Sequence, residues 1–409
     1  MSKAFNRLWS ASLVSNLSDG VLLVAAPLLA ITLTDNTVLI SLVGAMIMLP
    51  WLLFAIPIGT LVDRLDRRYI LAGTNLLRSA VVGVLAFTIA ADLVNIYLLI
   101  LAAFIIGSCE VVSDTTAQSL IPQILEEKYF EKANSRLQIS ETVVQGFIGA
   151  PLSGFLYALA IYIPFFFNSV GYIVSAILAF SMPIHFLQDV RNRKKEIEQK
   201  HFVADMKFGI TYLYNHKLLR RLVLTTSSVG VCYAMGTATI VLFMVRELDL
   251  PEPLFGLVLT IQGIGGLVGA VVAPHASKRF GRARVMTFGI FSSSLLLLIQ
   301  GFSPNIYLFV GFAVFGAFTI SQWNILLMST YQSVIPNEIY GRIHGTRRTL
   351  VWGMMPIGSV LGGLLATTGL RTPLYVGGFI ATTIALFSIK FMLSIGSTSN
   401  VEKKNLTFR

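Results

Sequence analysis

The chain has 409 residues, 55% of them hydrophobic and only 12% charged, with a mean hydropathy of +0.75 and a formal net charge of +11. A soluble domain carries about 25% charged residues, so a water-dissolved globule is excluded and lipid is the solvent. The positive excess would suit nucleic acid, but it is spread over alternate loops between apolar runs, which is a topological pattern.

Apolar runs of roughly 20 residues, enough to cross a hydrocarbon core of about 30 Å, recur near 10–33, 38–61, 69–90, 96–118, 137–160, 163–183, 220–245, 254–276, 285–302, 305–330, 346–368 and 373–395. The chain therefore reads as an all-α membrane protein of about twelve transmembrane helices. Lys3 and Arg7 precede the first span, and further basic clusters fall at 64–68, 128–136, 191–221, 278–284, 342–348 and 403–409. The opposite loops hold Arg246 and Arg371 as their clear cases. Positive charge collects on the cytoplasmic side, which places both termini there. The first span is too long for a signal h-region and is expected to stay as an anchor.

In chain order, the first span carries Asn16 and Asp19. The hairpin after the second holds a charged knot, Gly59-Thr-Leu-Val-Asp63-Arg64-Leu-Asp66-Arg67-Arg68. Here Asp63 is read as accepting from a neighbouring helix end or from Arg67, and Arg64 and Arg68 as facing anionic headgroups. The third span contains Arg78, the fourth Glu110 and Asp114, and the fifth opens on Glu141. An ionisable group in hydrocarbon is a functional hypothesis by default, and helical rise puts Asp19 and Arg78 each roughly 15 Å deep. Glu110 and Asp114 are four apart, on one helix face. Asp19, Glu110, Asp114 and Glu141 are read as proton-coupling candidates; the other readings are a structural ion pair with Arg78 for Asp19, and for Glu110 and Asp114 a static pair partly neutralised by Arg78 or a direct substrate contact. Arg78 itself is read as mainly structural, an ion-pair partner for a membrane carboxylate.

A polar stretch at 185–218 separates two sets of six spans. Its second part is either an amphipathic helix on the inner membrane face, with Phe208, Tyr212 and Leu213 toward lipid, or a solvated linker. The resulting domains are an amino-terminal bundle over 1–184, the cytoplasmic linker over 185–218, a carboxy-terminal bundle over 219–396 and a cytoplasmic tail over 397–409. The second set is poor in membrane acids and offers Tyr233, Gln262, Gln322, Trp323 and Asn324 as a surface for an amphipathic solute, against the alternative of ordinary packing. Gly265–Gly269 and Gly358–Gly362 are small-xxx-small seams for close helix approach.

The two sets echo each other. Pro274-His-Ala-Ser-Lys278-Arg279-Phe-Gly281-Arg282 repeats the knot 215 positions on, Ser119-Leu-Ile-Pro122 matches Ser333-Val-Ile-Pro336, and the glycines at 149 and 154 match those at 358 and 363. The knot resembles the signature loop of the major facilitator superfamily, G-x-L-a-D-R-x-G-R-[RK]. The first copy carries Asp66 for the second glycine, and the second keeps Arg279, Gly281 and Arg282 while Pro274 and Lys278 replace the first glycine and the acid. With Ser15-Asn-Leu-Ser-Asp19, Lys132-Ala-Asn134 and Gly341-Arg342, the chain is most similar to the bacterial branch of macrolide exporters and the enterobactin exporter. The resemblance implies two pseudo-symmetric six-helix bundles, an inner gating latch at the knot, and a first span lining the cavity. In the fifth span Gly146, Gly149, Pro151 and Gly154 partly match the antiporter motif, with Ala150 and Phe155 departing from it.

No Gly-Lys pair forms a phosphate loop, and the histidines at 185, 201, 216, 275 and 344 lack metal-ligand spacing. Cys109 and Cys232 lie within spans and read as packing residues. The expected function is proton-coupled export of a small amphipathic compound such as a drug, a macrolide-like antibiotic or a siderophore, by alternating access. A nutrient uniporter or importer is the alternative, and a membrane-embedded enzyme or lipid scramblase the remote one. No cofactor, metal or nucleic acid is expected. The implied partners are the solute, protons and the bilayer, for a monomer in a bacterial inner membrane.

Overall fold

The computed structural model describes residues 3–64, 66–126, 129, 133, 136–137, 140–183 and 202–406; within these helices the side chains at 55–57, 59–61, 63–64, 122–123, 142, 202–207, 337–338, 340–342, 344 and 395–406 lie outside the description. No strand occurs among the described residues. Among the described residues eleven helices are long and apolar enough to cross a bilayer, and a shorter apolar helix runs over Val143–Leu159. Two compact units form: Met1–Phe202 with Pro251–Thr260, and Val203–Leu250 with Ile261–Arg409.

Unit 1 contains α1 (Lys3–Leu33), α2 (Thr37–Arg64), α3 (Arg67–Ala90), α4 (Ile96–Ile124), a π-helical stretch Ser140–Gly149 that continues as α5 (Ala150–Leu159), and α6 (Ile163–Phe180). The fifth span is thus not one uniform helix. Pro151 has no N–H to give the preceding turn and its ring crowds the carbonyl four residues back, so the widened turns end where α5 begins. Helix α1 packs on α6 and on the π-helical stretch, α3 on α6 and α4, and α2 on α4. Side chains bridge these seams. Ser175 Oγ donates to Ala11 O at 2.9 Å, Ser153 Oγ to Val21 O at 2.7 Å, and Ser79 and Ser169 each donate to the other's carbonyl at 2.9 Å. A Cβ at Gly20 would strike Gln145 O, so this crossing needs glycine's bare backbone.

Unit 2 repeats the plan after α7 (Phe202–Asn215), with α8 (Lys217–Thr237) and the short α9 (Ile240–Arg246) as one broken span, then α10 (Phe255–Phe280), which belongs to unit 2 from Ile261 on, α11 (Arg282–Gly301), α12 (Ile306–Val334), α13 (Asn337–Gly353), α14 (Met355–Ala366) and α15 (Thr372–Leu406). Helix α8 packs on α15 and α14, and α11 on α15 and α12, the same scheme as α1 and α3 in unit 1. Added Cβ atoms at Gly358 and Gly362 would strike Val231 O and Met235 O. At one end of unit 2 Arg371 ties three loops, with Nε 2.6 Å from Glu247 Oε2 and Nη1 2.9 Å from both Gly301 O and Ser303 O. The core gathers Leu219, Leu222, Met286, Tyr331 and Ile343. The outward surfaces are apolar, Phe87 being 70% and Phe387 82% exposed, as a lipid-facing wall requires.

One local expectation changes. Leu213 belongs to the unit 2 core at 4% exposure and does not face lipid, while Phe208 on the same helix is exposed. Helix α7 ends one residue before His216, whose ring accepts from Leu219 N at 3.4 Å and starts α8; that close handover turns Leu213 inward.

Candidate functional site

The first, third and sixth spans bring three of unit 1's polar groups together. Tyr172 on α6 donates to Asp19 Oδ1 on α1 at 2.6 Å. Arg78 on α3 approaches the same oxygen at 3.5 Å and Ser15 Oγ at 3.4 Å, with its guanidinium carbon 5.4 Å from the Tyr172 ring centroid. Arg78 is 1% exposed, and its Nε and Nη2 have no hydrogen-bond partner among the described residues. A buried charge demands a counter-charge, and Asp19 supplies it through a long contact.

Glu110 approaches this group from α4. Helices α3 and α4 run antiparallel in a register marked by two contacts, Arg67 Nε to Ser119 Oγ at 2.7 Å and Thr74 Oγ1 to Ser113 Oγ at 2.9 Å. One turn further out on those facing stripes stand Arg78 and Glu110. The charged groups within electrostatic reach of Glu110 are Asp19, Arg78, Asp114 and Glu141. Asp114 is half-buried, and Glu141 is exposed at the start of the π-helical stretch. Asn16 is half-buried and donates back along its own helix to Ser12 O at 2.8 Å.

At the charged knot, Asp66 organises the hairpin. Its side chain accepts from Arg68 N at 2.9 Å and caps α3, and it pairs with Arg68 Nη2 at 3.0 Å. Arg68 also donates to Met182 O at 3.0 Å and is buried, so it does not face headgroups as expected. Burial pushes the Asp66 carboxyl up, but the Arg68 side-chain and backbone hydrogen bonds and the charges of Arg68 and Arg67 outweigh it and hold the carboxyl below the usual carboxylate range. The side chains of Gly59, Asp63 and Arg64 lie outside the described residues. In the second copy Gly281 stands where the first has Asp66. It takes φ 88° ahead of α11 with no side-chain cap, a left-handed turn that favours glycine. The two hairpins therefore enter their following helices differently, Asp66 at φ −70° with a side-chain cap and Gly281 at φ 88° without one. Arg279 and Arg282 are exposed, and Arg279 lies 5.4 Å from the Phe280 ring centroid.

The remaining solute candidates separate. Trp323 is 2% exposed within the unit 2 core, so it is a packing residue and not part of a surface. Its neighbour Gln322 is 3% exposed, with Oε1 unpartnered among the described residues. Tyr233 packs against the core edge, Gln262 is half-buried, and Asn324 is exposed.

Three groups escaped the sequence reading. Tyr172 gave no signal, being one tyrosine in an apolar run. Asp66 registered only as a missing glycine. Arg347, assigned to a basic loop, lies on α13 with its guanidinium carbon 4.7 Å from the Tyr331 ring centroid. Among the described residues no group of three His, Cys, Asp or Glu side chains converges as a metal site, and Cys109 and Cys232 are buried thiols in different units.

A family model described as a transmembrane secretion effector matches residues 1–407. The chain is 24% identical to the multidrug efflux pump Tap of Mycolicibacterium fortuitum over 394 residues, 94% of this chain and 92% of that protein. It is 22% identical to macrolide efflux protein A of Streptococcus pyogenes over 370 residues, 88% of this chain and 89% of the relative. A bacterial homologue of the iron transporter ferroportin, solved in an inward-facing state, superposes with a TM-score of 0.74 at 15% identity, over 96% of this chain and 100% of that one. At that identity the likeness shows the fold.

Proposed function

The chain belongs to the transmembrane secretion effector family of the major facilitator superfamily, a multi-pass membrane transporter and not an enzyme, and from that premise we propose that it exports a small amphipathic compound in exchange for protons. The observation that carries the proton half is the unit 1 cluster, where Asp19 contacts Arg78 and Tyr172 and Glu110 lies within electrostatic reach, all on helices long and apolar enough to span a bilayer. Ionisable groups so placed mark ion and proton pathways. Efflux is supported by relatives named as efflux proteins along nearly the full chain. A drug, a macrolide-like antibiotic and a siderophore all fit the description, and hydrophobic discrimination among them is worth only a few kcal/mol.

The working cycle is alternating access. In the outward-open state a carboxylate of the cluster takes a proton as solute leaves; in the inward-open state it releases that proton as the next solute binds. The gradient is the sole energy source in this reading, with no cofactor, and the carrier acts as a monomer in a bacterial inner membrane with both termini cytoplasmic. The test is a screen in cells stripped of their own efflux pumps, scored by resistance and accumulation. Export should collapse when a protonophore removes the gradient. Solute accumulation raised by the carrier would reverse the assigned direction and favour a nutrient importer.

A further inference from the structure

Arg78 is tied loosely to Asp19. Its contacts to Asp19 and Ser15, at 3.5 and 3.4 Å, sit at the outer limit of a hydrogen bond, while Nε and Nη2 donate to nothing among the described residues. Asp19 does not depend on it alone, because the Tyr172 hydroxyl already donates at 2.6 Å. On the facing stripe of α4, level with Arg78, Glu110 makes no hydrogen bond or ion pair among the described residues. A buried cation with unmet donors thus lies beside a carboxyl group with unmet acceptors. Leaving such buried donors unmet costs about 1–3 kcal/mol or more, and the half-buried Glu110 is the second acceptor within electrostatic reach of them.

We propose that Arg78 is a shared counter-cation that pairs with Asp19 while Glu110 is protonated and turns to Glu110 when that carboxyl ionises, with Tyr172 holding Asp19 in its absence. The guanidinium keeps its proton throughout; the proton that moves is the one Glu110 releases to water. Arginine suits the task because its planar fork presents separate N–H edges, one for each carboxylate, where a lysine would be a single point charge. The charged groups facing Glu110 are Asp19 from α1, Arg78 from α3, Asp114 from its own helix and Glu141 from the π-helical stretch, while Cys109 and Tyr172 lie within reach of Arg78. Helix α2 also packs on α4, and its ionisable residues, Asp63 and Arg64, stand at its inner end.

The inference deepens the proton-coupled reading, yet its test needs neither substrate nor gradient. The full-length protein in lipid bilayers is titrated by infrared spectroscopy, following the protonated-carboxyl band that disappears in Glu110→Gln. Tyr172→Phe removes the competing donor on Asp19, so Asp19 holds Arg78 harder and the Glu110 midpoint rises by about one pH unit, tenfold in proton affinity. Asp19→Asn frees Arg78 for Glu110, and the midpoint falls further with Arg78 present than in an Arg78→Gln background. A midpoint unmoved by Tyr172→Phe, equal Asp19→Asn shifts in both backgrounds, or a Glu110 band that never titrates would each overturn the proposal. Should Arg78→Gln fail to fold, the Tyr172→Phe titration decides alone. A normal titration series without gradient-driven transport would sink the transport reading and leave the exchange standing.

Discussion

Asp66→Ala removes a helix cap and an ion pair in one step, and both losses can be sized. The cap is the bond from Arg68 N to Asp66 at 2.9 Å, and losing such a cap costs about 1 kcal/mol. The pair joins Arg68 Nη2 and Asp66 Oδ2 at 3.0 Å with side chains 10% and 31% exposed. Solvent screening holds its worth to about 0.5–1 kcal/mol. The sum, about 1.5–2 kcal/mol, lowers the thermal midpoint by roughly 3–8 °C for a domain of this size. Asp66→Asn keeps the capping oxygen and Asp66→Gly restores the family's glycine at a small capping cost, so both should lose little more than the pair. The pH dependence has a definite sign. The carboxyl is held below its ordinary value, so its contribution is complete above the unfolded carboxylate value of about 4 and fades as pH falls through the lower folded value. The assay is tryptophan-fluorescence melting in detergent at a fixed scan rate, because large membrane proteins unfold irreversibly. An alanine variant as stable as wild type at pH 7, or one whose deficit survives unchanged in strong acid, refutes the assignment of Asp66 as cap and pair.

Cysteines introduced one at a time at Lys3, Lys200 and Lys403 should resist an impermeant thiol reagent added outside intact cells, while those at Asn36 and Asp249 should react. The native Cys109 and Cys232 are buried and give little background; outside labelling at 200 would overturn the orientation. Gly358→Leu drives a side chain into Val231 O across the α8–α14 crossing. It should cut folded yield several-fold, whereas Gly345→Leu, at an exposed position open to space, should leave yield near wild type.

The spans were legible because a bilayer imposes a length and a composition that few other environments share, and the charged knots because they interrupt apolar sequence. What escaped were features whose meaning depends on a neighbour. Asn95-Ile-Tyr-Leu98 and Asn305-Ile-Tyr-Leu308 are identical, and each asparagine caps its helix by accepting from the leucine N–H, at 2.9 and 3.0 Å. An asparagine at the loose edge of an apolar run does not announce itself as a cap. Trp323 illustrates the opposite error: indole suits both a packed core and a solute surface, and only its burial decides. The charged site was half visible. Its acids and Arg78 stood out because charge in hydrocarbon is rare, but the pairing through Tyr172 required knowing that α6 packs on both α1 and α3. Pro151 was read as a motif residue and not as the end of a π-helical stretch.

The account's central claim is that carboxylates of unit 1 couple transport to protons. Its most direct test is uphill transport in inverted vesicles or proteoliposomes driven by an imposed ΔpH, comparing wild type with Asp19→Asn, Glu110→Gln and the double variant at matched protein levels. The account predicts that each single variant loses uphill accumulation and that at least one still exchanges solute down its gradient, because solute contacts largely survive. Full uphill transport by the Asp19→Asn, Glu110→Gln double variant would contradict it, and coupling would then have to rest on Asp114, Glu141 or another ion.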